Sequence, residues 1–245
     1  MDTSKKWSKG NKRISPVFLR WRPAEAWHIV RAHPWLMFLF INFALVIPLE
    51  YNISMIEPRG EPYDAGFVIT KRIHNILELR PTLNHVLAAA NTALVVFQIV
   101  YIAWAWVVEG RFRPVLASAF MFSSRGILGY STQLPVPQEF LGSGVDFPVG
   151  HVSFFLFFSG HVGASIIATL DLRCVNRVRG ALVMDMLNVL QTMRLLATRG
   201  HYTIDLVSGA FAGWACYHLA GLCEERIKTQ SSSVAGVSDY IDLNL

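Results

Sequence analysis

Six runs of mostly apolar residues dominate this 245-residue sequence and constrain its fold more than any other feature. They extend from about Trp35 to Tyr51, Leu83 to Val108, Val115 to Ser131, Val152 to Leu172, Ala181 to Ala197 and Tyr202 to Leu222. A helix needs roughly 20 such residues to cross the hydrocarbon core of a bilayer. A segment in lipid must also satisfy its own backbone hydrogen bonds, which a helix does internally. The expected fold class is therefore all-α: a polytopic membrane protein with six transmembrane helices in one bundle. Composition agrees. Only 16% of residues are charged and 53% are hydrophobic, against about 25% charge in an ordinary soluble domain. The aromatic share of 12%, with 16 Phe and seven Trp, suits contact with lipid and its interfaces.

Three regions follow. Residues 1–33 form a basic arm in which Phe18, Trp21 and Trp27 lie among Arg20, Arg22 and Arg31, the pattern of a surface-lying anchor; for residues 1–14 an irregular tail fits equally well. Residues 34–223 are the six-span domain, and residues 224–245 a polar tail, Ser-rich from Lys228 and expected to be disordered. In the loop over 52–81, Phe67, Ile73, Ile76 and Leu77 fall near helical spacing, so a short interfacial helix is expected. A second loop, 132–150, is rich in Pro and Gly. The net charge of +5 does not imply nucleic acid, because the basic residues sit mostly at the ends of apolar runs. The three Cys have neither metal-ligand nor disulfide-framework spacing, and the first span is the expected targeting signal.

Lys and Arg collect on the cytoplasmic side of spans. The arm, Arg111, Arg113, Arg173, Arg177, Arg179, Arg226 and Lys228 carry most of the basic residues. Both termini are then cytoplasmic, and Glu109 and Asp171 are expected to be solvated at that side. The start of the fourth span, the end of the fifth and the start of the sixth meet on the opposite side.

Two His-bearing segments sit there: Ser159-Gly160-His161 and His201-Tyr202-Thr203-Ile204-Asp205. His201 and Asp205 are one helical turn apart and share a face. A carboxylate beside an imidazole fixes its tautomer and leaves the other ring nitrogen as a nucleophile or base. His161, from another span, would supply the acid. These are the parts required for displacement at phosphorus through a covalent intermediate. A lone His more often caps a helix, and His161, His201, Asp205 and His151 also admit a zinc reading, although no HExxH or Cys pair accompanies them. No metal and no cofactor is expected. Arg125, inside an apolar span, is a candidate phosphate ligand, because a guanidinium fork suits phosphate oxygens. Asp185, Asn188, Gln191 and Arg194 form a polar stripe along the fifth span, and Asp185 and Arg194 fit a structural role as well as anion binding. Asp146 and His151 belong to the loop nearest the site.

Ser159-Gly160-His161 and His201 to Asp205 resemble the last two motifs of the sphingomyelin synthases, in the lipid phosphatase superfamily. Arg125 followed by Leu134-Pro135-Val136-Pro137 is similar to a third segment of those enzymes. The closer resemblance is to the plant phosphatidylcholine:diacylglycerol cholinephosphotransferases. It rests on Glu61 to Val68, on the run from Arg125 to His161 containing Gly142-Ser143-Gly144-Val145-Asp146-Phe147-Pro148, and on Arg199 to Leu206, and it covers about Trp27 to Gly221.

The resemblance implies a ping-pong exchange of phosphocholine between phosphatidylcholine and diacylglycerol at the endoplasmic reticulum membrane. His161, His201 and Asp205 would be catalytic toward the lumen. Arg125, Arg194, Arg199, Ser159, Gly160, Tyr202, Asp146 and His151 are the expected substrate-binding residues. Membrane lipids are the expected partners, and a homo-oligomer or association with other lipid-synthesis enzymes is compatible with it. Trp106 and Leu195 replace basic residues of the phosphatase motifs, which argues against a general lipid phosphatase; Phe155 replaces an Asp of sphingomyelin synthases, which argues against ceramide as acceptor. A ceramide-accepting transferase, a lipid phosphatase and a non-enzymatic lipid-binding scaffold or transporter are the competing readings.

Overall fold

The computed structural model describes residues 31, 37–38, 41–42, 44–45, 63–147 and 156–242, with side chains to position 227 and at 229. The basic arm apart from Arg31, most of the first expected span, and His151 lie outside the described residues. Six helices and no strands occur among those described: α1 (Ala65–Leu79), α2 (Pro81–Val107), α3 (Arg113–Ser131), α4 (Gly160–Cys174), α5 (Val178–Ala197) and α6 (Thr203–Asp242). Two of them, α2 and the Thr203–Ile227 part of α6, are long and apolar enough to cross a membrane. At 27 residues α2 is ~40 Å long, whereas the 15 residues of α4 reach only ~22 Å.

Local chemistry sets the element ends. Asp64 caps α1 by accepting from the Phe67 amide at 3.1 Å. Pro81 and Pro114 open α2 and α3, where a missing N–H costs nothing. The buried face of α1 is Phe67, Thr70, His74 and Leu77; Ile73 and Ile76, expected on the same face as Phe67, are exposed. His74 turns inward because its Nδ1 lies 2.8 Å from the Ala197 carbonyl at the end of α5.

Along α2 the buried stripe contains Asn84, Asn91 and Gln98 at seven-residue intervals, while Val96, Phe97, Val100 and Trp104 are exposed. Polar groups inward and apolar groups outward is the arrangement a lipid-facing helix needs. Gln98 donates to Ser165 on α4. On α5 and α6, Leu182, Val183, Met186, Leu190, Val207 and Phe211 are likewise exposed.

The core lies where α3, α4 and α6 meet, around Leu116, Met121, Phe158, Ile167 and Tyr217. The α4–α6 contact depends on Gly209 and Gly213, one turn apart. A Cβ on Gly213 would lie 2.5 Å from the Gly163 carbonyl oxygen, and one on Gly209 the same distance from that of Ser159. The two backbones touch, as small residues allow in membrane helices. This contact explains why α4 begins at Gly160 and not near Val152 as expected. The Ser159 amide donates to the Asp205 carbonyl at 2.8 Å, so the chain there is committed to α6 and not to a continuing helix.

Two further expectations change. Asp171 is 2% exposed, not solvated. It accepts from Tyr101 Oη at 2.6 Å and pairs with Arg111, in a network that continues through Glu109 to Arg177. Burial opposes ionisation of Glu109, but Arg177 and Arg111 outweigh it and hold that carboxyl below its ordinary range. The Ser-rich tail, expected to be disordered, continues α6 to Asp242; the segment contains no Pro to stop it.

Candidate active site

His201 belongs to the tight connection between α5 and α6. Arg199 adopts φ 55°, and the amides of Arg199 and Gly200 donate back to the Leu196 and Leu195 carbonyls at 3.0 and 2.9 Å, closing the end of α5. Asp205, in the first turn of α6, is completely buried. Its Oδ2 accepts from the Tyr202 amide at 2.9 Å and lies 3.4 Å from His201 Nδ1. A carboxylate in this place keeps the proton on Nδ1 and leaves the lone pair of Nε2 available. Burial first, and the charge of Arg125 second, hold the His201 imidazole down to about 3, so the ring is neutral at pH 7.

His161 enters from the first turn of α4. Its ring centroid lies 6.2 Å from that of His201, with the planes at 71°. Both line a cavity of about 260 Å³ together with Asn91, Arg125, Asp146, Phe147 and Arg194. Arg125 is 4% exposed. It reaches the cavity because residue 160 lacks a side chain; a Cβ there would sit 2.7 Å from Arg125 Nη1. Arg194 donates to Asp146 Oδ1 at 2.6 Å. Two buried guanidiniums beside two imidazoles form a cationic pocket suited to a phosphate diester.

A second, apolar cavity of about 340 Å³, lined by Ile99, Ile102, Trp106, Val115 and Phe122 among others, shares Arg125, Phe147 and His161 with the first. The cavity that holds both imidazoles and both guanidiniums and an apolar groove between α2, α3 and α4 therefore meet at His161.

The structure brings His161, His201, Asp205, Arg125, Arg194 and Asp146 together. It puts other expected residues elsewhere. Tyr202 turns its hydroxyl to the Pro135 carbonyl at 3.0 Å and its ring to Phe67. Arg199 stacks over Phe67 at 4.8 Å and pairs with Glu139 at 3.1 Å. Ser159 is buried without lining the polar cavity, and Gly160 borders the apolar groove. Asp185 pairs with Arg173, away from the site. Among the described residues no three His, Cys, Asp or Glu side chains converge as a metal-ligand group.

Sequence reasoning missed Asn91, Phe140, Ser143 and Phe147 in the cavity wall. Asn91 had a legible signal, as an amide inside an apolar run. Asp64 was also missed, although it sets the frame of the site. Its Oδ2 accepts from the Thr203 amide at 2.7 Å and its Oδ1 from the Thr203 hydroxyl at 2.6 Å, so one carboxylate caps both α1 and α6.

Residues 63–222 match a family model described as AtPDCT1/2. The chain is similar to two Arabidopsis thaliana proteins. It is 54% identical to phosphatidylcholine:diacylglycerol cholinephosphotransferase 1 over 88% of this chain and 72% of the relative. It is 53% identical to phosphatidylcholine:diacylglycerol cholinephosphotransferase 2 over 86% of this chain and 71% of the relative. The chain belongs to this family. No solved structure matches it. The family match begins at Tyr63, beside the Asp64 cap, and ends at Leu222 within α6, so it takes in every site residue described above.

Proposed function

We propose that this protein transfers phosphocholine from phosphatidylcholine to diacylglycerol, exchanging the diacylglycerol moieties of the two lipids. The observation that carries the reading is His201, oriented by Asp205, facing His161 across a cavity that also holds Arg125 and Arg194, in a chain of this family.

In the first step Nε2 of His201 attacks the phosphorus of phosphatidylcholine. The bond from phosphorus to the glycerol oxygen breaks, and His161 gives its proton to that oxygen, releasing diacylglycerol. Phosphocholine is left on His201. Asp205 stabilises the positive charge that develops on the ring, and Arg125 and Arg194 stabilise charge on the phosphoryl oxygens. In the second step another diacylglycerol gives its hydroxyl proton to His161, and its oxygen attacks phosphorus. The His201–phosphorus bond breaks and phosphatidylcholine leaves. Like bonds are exchanged, so the reaction is close to thermoneutral and reversible. The apolar groove supports a lipid acceptor, because it ends at His161.

The same reading has six spans in one bundle, with both termini cytoplasmic and the site toward the lumen of the endoplasmic reticulum. Its regions are an arm over 1–33, a catalytic domain over 34–223 and a tail over 224–245.

Membranes from yeast lacking its own cholinephosphotransferases test it. They would express the chain and receive labelled diacylglycerol and phosphatidylcholine, without CDP-choline and with a chelator. Labelled phosphatidylcholine, absent in His201→Ala and lowered at least about a hundredfold in His161→Ala, is expected. No label transfer by folded protein overturns the reading; label on a ceramide product, or phosphate release, would point to the competing activities.

A further inference from the structure

Residues 140–147, in the described part of the connection between α3 and α4, line one side of the catalytic cavity and are tied to neighbouring elements at several points. The Leu141 amide donates to the Thr198 carbonyl at 2.9 Å, and Asn84 donates to the Leu141 carbonyl at 3.2 Å. Thr92 donates to the Val145 carbonyl at 2.8 Å, and the Ser143 amide to Asp146 Oδ2 at 3.0 Å. The ring of Phe140 lies between two glycines: a Cβ on Gly142 would sit 3.1 Å from it and one on Gly200 3.5 Å. The ring of Phe147 stands edge-on to His161, with centroids 6.5 Å apart. Both rings line the cavity, and so does Asp146, the one carboxylate among its described lining residues.

Two aromatic rings and one acid in the same cavity wall as Arg125 fit the cationic end of a zwitterionic headgroup. We propose that Phe140, Phe147 and Asp146 seat the trimethylammonium of choline and set the headgroup specificity of the transfer. The inference rests on the headgroup-transfer reading above. A quaternary ammonium has no N–H to donate, and it is attracted by the negative face of a phenyl ring. A primary ammonium brings three donors, which phenyl rings leave unsatisfied at a cost. Arg194 and Asp146 form an ion pair in the same cavity wall, so a cation and an anion both border the space a zwitterionic headgroup would fill. Asp146 is expected at the site from the sequence, but no local signal marks Phe140 and Phe147, which reach the cavity only once the loop is packed against α2 and the end of α5.

The test uses the full chain in vesicles containing equal phosphatidylcholine and phosphatidylethanolamine, with labelled diacylglycerol. Both labelled products are read from the same vesicles, so their ratio is independent of the amount of active protein. The wild type is expected to favour the choline product. Phe140→Leu and Phe147→Leu are each expected to lower the ratio by about 2- to 30-fold, the range of a cation–π contact from exposed to desolvated. Phe140→Trp and Phe147→Trp, which keep a π face, are expected to stay within about twofold of the wild type. If a leucine variant transfers neither headgroup, the Trp variants decide: a retained ratio supports the site and a collapsed one overturns it. A wild type without choline preference, or leucine variants with the wild-type ratio, overturns the choline seat alone. A wild type that transfers neither headgroup overturns the proposed function and this inference together.

Discussion

Asp64 caps the helix that carries Asp205 across 139 residues of sequence, accepting from both the amide and the hydroxyl of Thr203. Thr203 also accepts from the Gly66 amide at 3.0 Å, so the starts of α1 and α6 are locked into one hydrogen-bonded unit. His201 lies two residues before this lock and Asp205 two residues after it. The orientation of the His–Asp pair is therefore set by a residue that touches neither.

Removing that lock has a defined cost. Asp64→Ala leaves the amides of Phe67 and Thr203 without their acceptor and is expected to destabilise the protein by ~1–2 kcal/mol. Transfer is expected to fall further than the lost stability explains. Thermal unfolding in detergent, beside transfer activity at a temperature where the variant stays folded, separates the two effects; full activity in folded Asp64→Ala would refute the positioning role.

His161 and His201 differ in what their loss removes. His201→Ala would take away the proposed nucleophile and is expected to abolish exchange. His161→Ala would remove the proposed proton donor and is expected to slow exchange by about 10²- to 10⁴-fold. Acid-labile phosphate on the protein, trapped with labelled phosphatidylcholine, is expected in the wild type and absent in His201→Ala.

The touching backbones of α4 and α6 predict a steric sensitivity. Gly213→Val would drive side-chain atoms into the Gly163 carbonyl and is expected to cost ~1–3 kcal/mol or more through overpacking. Gly144, where an added Cβ would meet nothing within 4 Å, is the control: Gly144→Ala is expected to leave the melting temperature within about a degree of the wild type. Equal melting temperatures for Gly213→Val and the wild type would refute the close contact.

The Glu109 carboxyl, held below its ordinary value by Arg177 and Arg111 against the effect of burial, links stability to pH. Its contribution is fully present above the ordinary value of 4.5 and is lost as pH falls through the lower folded-state value. Glu109→Gln is expected to be less stable than the wild type at neutral pH. The difference should shrink as pH drops below about 4.5. Melting temperatures between about pH 7 and pH 3 provide the check.

The apolar runs determined that the chain is helical, because unbroken apolar stretches of that length bury their backbone polar groups only as helices. The limits of α2, α3 and α5 were readable within a few residues from local composition. The four-residue spacing of His201 and Asp205 was legible in the sequence, but His201 precedes α6 and shares no helix face with Asp205; the two meet because the Asp205 carboxylate turns back over the connection to accept from the Tyr202 amide. Nothing local to the sequence brought His161 to within 6.2 Å of His201, turned Arg199 onto Phe67 and away from the cavity, or buried Asp171 against Tyr101 and Arg111. Those outcomes depend on which helices touch. Here the contact was decided by glycines that let α4 and α6 meet backbone to backbone and by an aspartate that ties α1 to α6. Periodicity reports which face of a segment is buried; its partner is chosen by shape and hydrogen bonds that exist only when distant parts of the chain are already side by side.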